Sequence, residues 1–111
     1  MPADATVSRS KHATLVANTA YWVAFSQLWD YVEVKNRDSI GGDRVSFVIG
    51  DANTTAPTDL GDNTIVLLPG ESAVLRFPQP GILNGTAAVP AVKLIPSSTG
   101  TPEISVTGYS E

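Results

Sequence analysis

The chain has no cysteine in 111 residues. That excludes disulfide scaffolds, thiolate zinc sites, iron–sulfur clusters and cysteine nucleophiles. It has one histidine, His12, which leaves little for an imidazole metal site or a Ser-His-Asp arrangement. No Gly-x-Ser-x-Gly elbow, phosphate-binding Gly-rich loop or dinucleotide fingerprint occurs. The sequence therefore reads as a non-enzyme with no cofactor, and His12 as an exposed or interface histidine. Charge is also scarce. Charged residues make up 16%, with seven basic and eleven acidic side chains and a net charge of -4. The basic residues are scattered, whereas neutralising nucleic-acid phosphates needs clustered Lys and Arg, so no nucleic-acid partner is expected. No apolar run approaches the roughly 18 residues of a membrane helix. The N-terminus lacks the charged start and apolar stretch of a secretory signal, so no membrane partner and synthesis in the cytoplasm are expected. Asn53-Thr54-Thr55 and Asn84-Gly85-Thr86 match the glycosylation sequon and read as turns in this setting.

What is present points to β-structure. Eight prolines and nine glycines punctuate the chain, and hydrophobic residues make up 42%, enough for one core. The window from Thr6 to Ile40 is free of Gly and Pro, but its residues are β-branched and aromatic rather than helix-forming. Alternating runs predict strands at Ala13–Ala17, Tyr21–Phe25, Tyr31–Lys35, Arg44–Ile49, Thr64–Leu68, Ala73–Phe77, Ala91–Ile95 and Ile104–Thr107. Pro69-Gly70 fits the centre of a type II turn, and the strands beside it are expected to pair as a hairpin. Gly50–Asn63 and Pro78–Ala88 read as loops. The expected fold is all-β: one antiparallel β-sandwich or small β-barrel of about eight short strands. Residues 1–10 are expected to be an extended N-terminal arm, and residues 11–111 a single β domain. Expected interior residues are Val23, Phe25, Val32, Val34, Val45, Phe47, Ile49, Ile65, Leu67, Val74, Val92, Leu94 and Val106.

Candidate functional residues are few. Asp59-Leu60-Gly61-Asp62-Asn63 resembles a fragment of a calcium loop, but the EF-hand order is not met, and Asp and Asn favour turns through their own side-chain hydrogen bonds. No metal site is assigned. Tyr21, Trp22, Phe25, Trp29 and Tyr31 crowd into eleven residues, and such aromatics outside a core mark interfaces. With the basic pair Arg9 and Lys11, the residues Tyr21, Trp22, Trp29 and Tyr31 form the candidate partner or oligomer interface. A carbohydrate platform is the sharper alternative for the aromatics.

The segment Asp30-Tyr31-Val32-Glu33-Val34-Lys35-Asn36-Arg37-Asp38 resembles a segment of small structural proteins of tailed bacteriophages. The resemblance continues through a strand like Val45–Ile49, a loop like Thr55–Thr58 and a late strand like Val92–Ile95. It runs on through Ser98–Pro102 to a closing Ile104–Tyr109, and so covers most of the chain after residue 30. Gly41-Gly42 and Gly81–Ala88 depart from the pattern. The resemblance implies a virion component, foremost a capsid decoration (cement) protein on the outside of the head. Such proteins are often trimers that bridge neighbouring major capsid subunits. Its implied partners are the major capsid protein and copies of itself. A head–tail joining or tail protein, or a carbohydrate- or host-surface-binding module, are the alternatives.

Overall fold

A computed structural model describes residues 4–27, 29–39, 41–50, 54–77, 82–83, 86–87 and 90–110, with backbone alone for 82–83 and 86–87. The described residues form strands arranged in two principal sheets, and no helix occurs among them. The strands are β1 (Ala5–Val7), β2 (Ser10–Thr14), β3 (Tyr21–Phe25), β4 (Tyr31–Asn36), β5 (Val45–Gly50), β6 (Ile65–Leu67), β7 (Ser72–Arg76), β8 (Ile82–Leu83), β9 (Thr86–Ala87), β10 (Ala91–Pro96) and β11 (Glu103–Tyr109). One sheet has the order β1-β3-β10-β5-β6 and the other β2-β11-β4-β7, while β8 and β9 form a separate two-stranded ribbon.

The pairing is nested. β2 pairs with β11, β3 with β10, β4 with β7 and β5 with β6, all antiparallel. The first strand of this set of eight meets the last, the second the seventh, and so inward to the central pair. The remaining ladders, β11 with β4 and β10 with β5, join these pairs into two sheets. Two Greek keys wrapped in this way make a jelly roll. The all-β sandwich expected from the alternation is therefore observed, and the order of its strands resolves the barrel and sandwich alternatives.

The core lies between the sheets. Val32, Val34, Ile104 and Val106 from one sheet face Val23, Phe25, Val45, Phe47, Val92 and Leu94 from the other, with Leu15, Leu67 and Phe77 sealing the ends. Phe25 and Phe77 meet edge to face at 6.0 Å, the arrangement favoured by the ring quadrupoles. Two expected interior residues lie outside. Val74 is 60% exposed and Ile65 37% exposed. On β7 the inward positions are Ala73 and Leu75, opposite Val34 and Val32, so the alternation there runs one residue out of phase with the expected face.

Two further expectations are corrected. The first is the arm, of which residues 1–3 lie outside the described residues. From Ala5 the segment is part of the fold: β1 runs parallel to β3 with Ala5 opposite Val23 and Val7 opposite Phe25. The chain then crosses at Ser8 and Arg9 to the other sheet, where β2 lines up against β11. Three-residue β1 is too short to show a period, and the crossing splits the pattern in two. The second is the hairpin at Pro69-Gly70. The turn itself forms: Glu71 N–H donates to the Leu68 carbonyl at 2.9 Å and Gly70 has φ +84°, the geometry of type II. Yet β6 pairs with β5 and β7 with β4, in different sheets. Tight hairpins favour the mirror-image turns because type I and II turns splay the flanking strands. Here the splay carries the chain from one sheet to the other.

Candidate partner-binding surface

The outer face of the four-stranded sheet follows from register. β4 turns Val32, Val34 and Asn36 inward, so Tyr31, Glu33 and Lys35 point out. The pairing sets Tyr109 opposite Tyr31, and Tyr31 opposite Arg76. These side chains form a row across three strands. The Arg76 guanidinium lies 5.7 Å from the centre of the Tyr31 ring. At the rim the Arg9 guanidinium lies 5.4 Å from the centre of the Tyr109 ring, and its Nε donates to the Gly108 carbonyl at 3.2 Å. An Arg–Tyr–Tyr–Arg row thus edges the sheet. The ring contact and the carbonyl bond hold Arg9 against Tyr109. No protein partner for its two terminal nitrogens occurs among the described residues.

The next rows bring Ser10, Thr107, Glu33 and Val74 together, then His12, Ser105, Lys35 and Ser72. Arg37 follows β4 at the far end and approaches His12 Nδ1 to 3.4 Å. Together with Thr14 and Glu103 these two residues line an open, polar depression of about 300 Å³. Arg9, Lys35, Arg37 and Arg76 are four of the seven Lys and Arg residues in the chain. Against them on this face and its rim stand Glu33, Glu71, Glu103 and Asp30. The face thus gathers more than half of the cations of a chain of net charge -4. Tyr and Arg in such an arrangement are the side chains that dominate protein–protein contacts.

The six interface candidates separate. Arg9 and Tyr31 belong to the row just described. Trp29 is not a surface platform. It packs against the core, its ring lies over Gly108, and its Nε1 donates to the Ser8 carbonyl at 2.7 Å. Trp29 closes one end of the sandwich and ties down the β1–β2 crossing. Lys11 stands opposite Val106 on the inward-facing side of edge strand β2, away from the row. Tyr21 and Trp22 are on the other sheet, beside Lys93. Tyr109 and Arg76 join the row without standing out in the sequence. Their only signal was their position on strands whose register was not yet known.

The opposite face is largely roofed. Lys93 Nζ reaches the Thr54 carbonyl at 2.5 Å, and Leu60 N–H donates to the hydroxyl of fully buried Ser46 at 3.0 Å. The 54–64 segment therefore lies over the five-stranded sheet. Arg44 grips Asp59 with two bonds, Nε to Oδ1 at 3.1 Å and Nη2 to Oδ2 at 2.7 Å, which strengthens the hold of Arg44 on its proton. Both oxygens of Asp59 are thus engaged by a cation. Asn63 has φ +63°, and the hydroxyl of Thr64 donates to the Gly61 carbonyl at 2.6 Å. These are the turn roles expected of this sequence. Among the described residues no group of three or more metal-ligating side chains comes together. The sequons at Asn53 and Asn84 have their asparagines outside the described residues.

No protein-family model, curated protein or solved structure matches the chain.

Proposed function

We propose that the protein is a bacteriophage virion structural protein, a decoration (cement) protein of the outer head surface that bridges and stabilises major capsid subunits. It acts as a homo-oligomer, with a trimer favoured. The observation that carries this reading is the Arg9–Tyr109–Tyr31–Arg76 row across one sheet face of an acidic jelly roll. The resemblance of residues 30–109 to small phage structural proteins supports the same reading. The jelly roll is compatible with it, since viral capsid domains use this architecture, but lectin domains do too, and fold alone does not assign function.

The mechanism needs no chemistry. A protein that binds only the assembled lattice stabilises that lattice by mass action. The two arginines meet acidic side chains of the capsid surface, and the tyrosines supply rigid contact area at low entropic cost. Residues 5–10 contribute through the fold rather than as a separate anchor, because β1 and the Ser8–Arg9 crossing hold one end of the sandwich.

The test is co-sedimentation with DNA-emptied heads that lack this protein. The wild-type protein is expected to saturate the heads in a fixed ratio to the major capsid subunit. Reversing both ends of the row, Arg9→Glu with Arg76→Glu, is expected to weaken binding by at least about 10-fold while leaving the fold intact by circular dichroism. Undiminished binding of the double variant would remove this face from the contact.

A further inference from the structure

A cleft of about 330 Å³ opens beside the five-stranded sheet, lined by Asp4, Thr19, Tyr21, Trp22 and Lys93 with two alanines. That volume lies within the usual range of small-molecule sites. The fold builds it from three pieces. β3 begins at Tyr21, β1 runs alongside so that Asp4 reaches its start, and β10 sets Lys93 directly opposite Trp22. Asp4 Oδ2 accepts the Trp22 backbone N–H at 2.7 Å. The Lys93 ammonium sits 4.5 Å from the centre of the Trp22 ring and is steadied by the Thr54 carbonyl.

Trp22, one of the lining residues, is incompletely matched. The Trp22 ring nitrogen is buried with no hydrogen-bond partner among the described residues, an arrangement that costs free energy and calls for an explanation. The Tyr21 phenol holds its proton above the ordinary value of 10, first because burial disfavours the phenolate and second because Asp4 is near. At neutral pH it is therefore a hydroxyl able to donate and accept. The one cation and the one anion of the lining cancel. Two aromatic side chains give apolar wall, while Asp4, Lys93 and Thr19 offer acceptors and donors.

We propose that this cleft binds a neutral sugar ring, a pyranose. A ligand with both donors and acceptors and one apolar face matches the lining. A phosphate or nucleotide would meet the Asp4 carboxylate, and a wholly apolar ligand would strip water from Asp4 and Lys93 without replacing their bonds. The site lies on the other sheet from the Arg–Tyr row, so it stands independently of the capsid reading.

The protein has two tryptophans, so a nitrogen–proton correlation spectrum contains two indole signals. Trp29, bonded to the Ser8 carbonyl, serves as the internal control. Titration with glucose, galactose, mannose and N-acetylglucosamine to about 50 mM is expected to move the Trp22 indole signal saturably for at least one sugar. The Kd is expected to be about 1–10 mM, with the Trp29 signal still. Asp4→Ala and Lys93→Met are each expected to weaken that sugar about 10-fold or more, with the Trp29 signal in place to report an intact fold. No movement with any of the four sugars would overturn the proposal. So would equal movement of both indoles, or undiminished binding in both folded variants.

Discussion

Replacing Asn36 by alanine is expected to destabilise the protein by about 3–4 kcal/mol, a large part of the ~5–15 kcal/mol that holds a domain of this size together. Asn36 is completely buried at the end of β4. Its side-chain nitrogen donates to the Asp43 carbonyl at 2.8 Å and to the Leu67 carbonyl at 3.0 Å, and its oxygen accepts the Asp38 N–H at 3.0 Å. Leu67 belongs to β6 in the other sheet, so one amide pins the two sheets together beside the Leu68–Glu71 turn. The Asn36 backbone completes the tie, accepting from Gly70 N–H at 3.0 Å and donating to the Glu71 carbonyl at 2.9 Å. Alanine leaves two carbonyls and an N–H without their partner, and the loss of desolvated groups outweighs the net value of the bonds themselves. Urea or guanidinium unfolding followed by circular dichroism measures the change.

Asn36→Asp separates this account from simple loss of volume. A carboxylate there faces two carbonyl oxygens and is buried, and both effects favour its protonated form. Its folded-state pKa is raised above the ordinary carboxylate range, so the native state binds the proton more tightly than the unfolded chain. The variant is therefore expected to gain stability, relative to wild type, as pH falls through that raised pKa, and to lose it as pH rises. A variant with the same pH profile as wild type would contradict the role of the amide.

The second large effect is expected from Gly108→Ala, at about 2–4 kcal/mol. A Cβ on Gly108 would lie 2.5 Å from both Cδ1 and Cγ of Trp29. The indole cannot retreat freely, because its Nε1 is bonded to the Ser8 carbonyl. The glycine cannot shift freely either: its N–H donates to the Arg9 carbonyl at 2.8 Å, and its own carbonyl accepts from Arg9 Nε. The methyl group therefore expels the ring, unpairs the β1–β2 crossing and loosens Arg9 above Tyr109. A double-mutant cycle with Trp29→Leu is the measurement. With the ring already gone, Gly108→Ala is expected to cost much less than in the wild-type background. Equal costs in both backgrounds would mean that the ring is not what the glycine accommodates.

These two residues also show what was legible in the sequence. The strand positions came from alternation and punctuation. Tyr21–Phe25 matches β3 to the residue, and most other strands agree within one or two positions. Interior residues such as Val32, Val34, Val45 and Phe47 followed from the same alternation. Strand order did not follow, because alternation fixes which face a residue takes but not which strand lies beside it. Asn36 read as the end of a strand and the start of a turn, and nothing local distinguishes a turn asparagine from one bonded across two sheets. Gly108 sits inside a strand pattern, where a glycine marks a close approach, but the approaching group, Trp29, lies 79 positions earlier in the chain. The candidate interface meets the same limit. Arg9 and Tyr31 stand out by residue type, whereas their neighbours Tyr109 and Arg76 become visible only through the register of β4, β7 and β11. Trp29, chosen with them as a surface aromatic, was claimed by the core.

The central claim is that the Arg–Tyr face covers a repeated site on a phage head. The most direct measurement is copy number per particle, by quantitative mass spectrometry of purified virions with the major capsid protein as the internal standard. A lattice-wide decoration protein is expected in hundreds of copies, in a fixed simple ratio to the major capsid subunit. A copy number that fits a single ring at the neck or tail, or absence from the particle, would contradict the account.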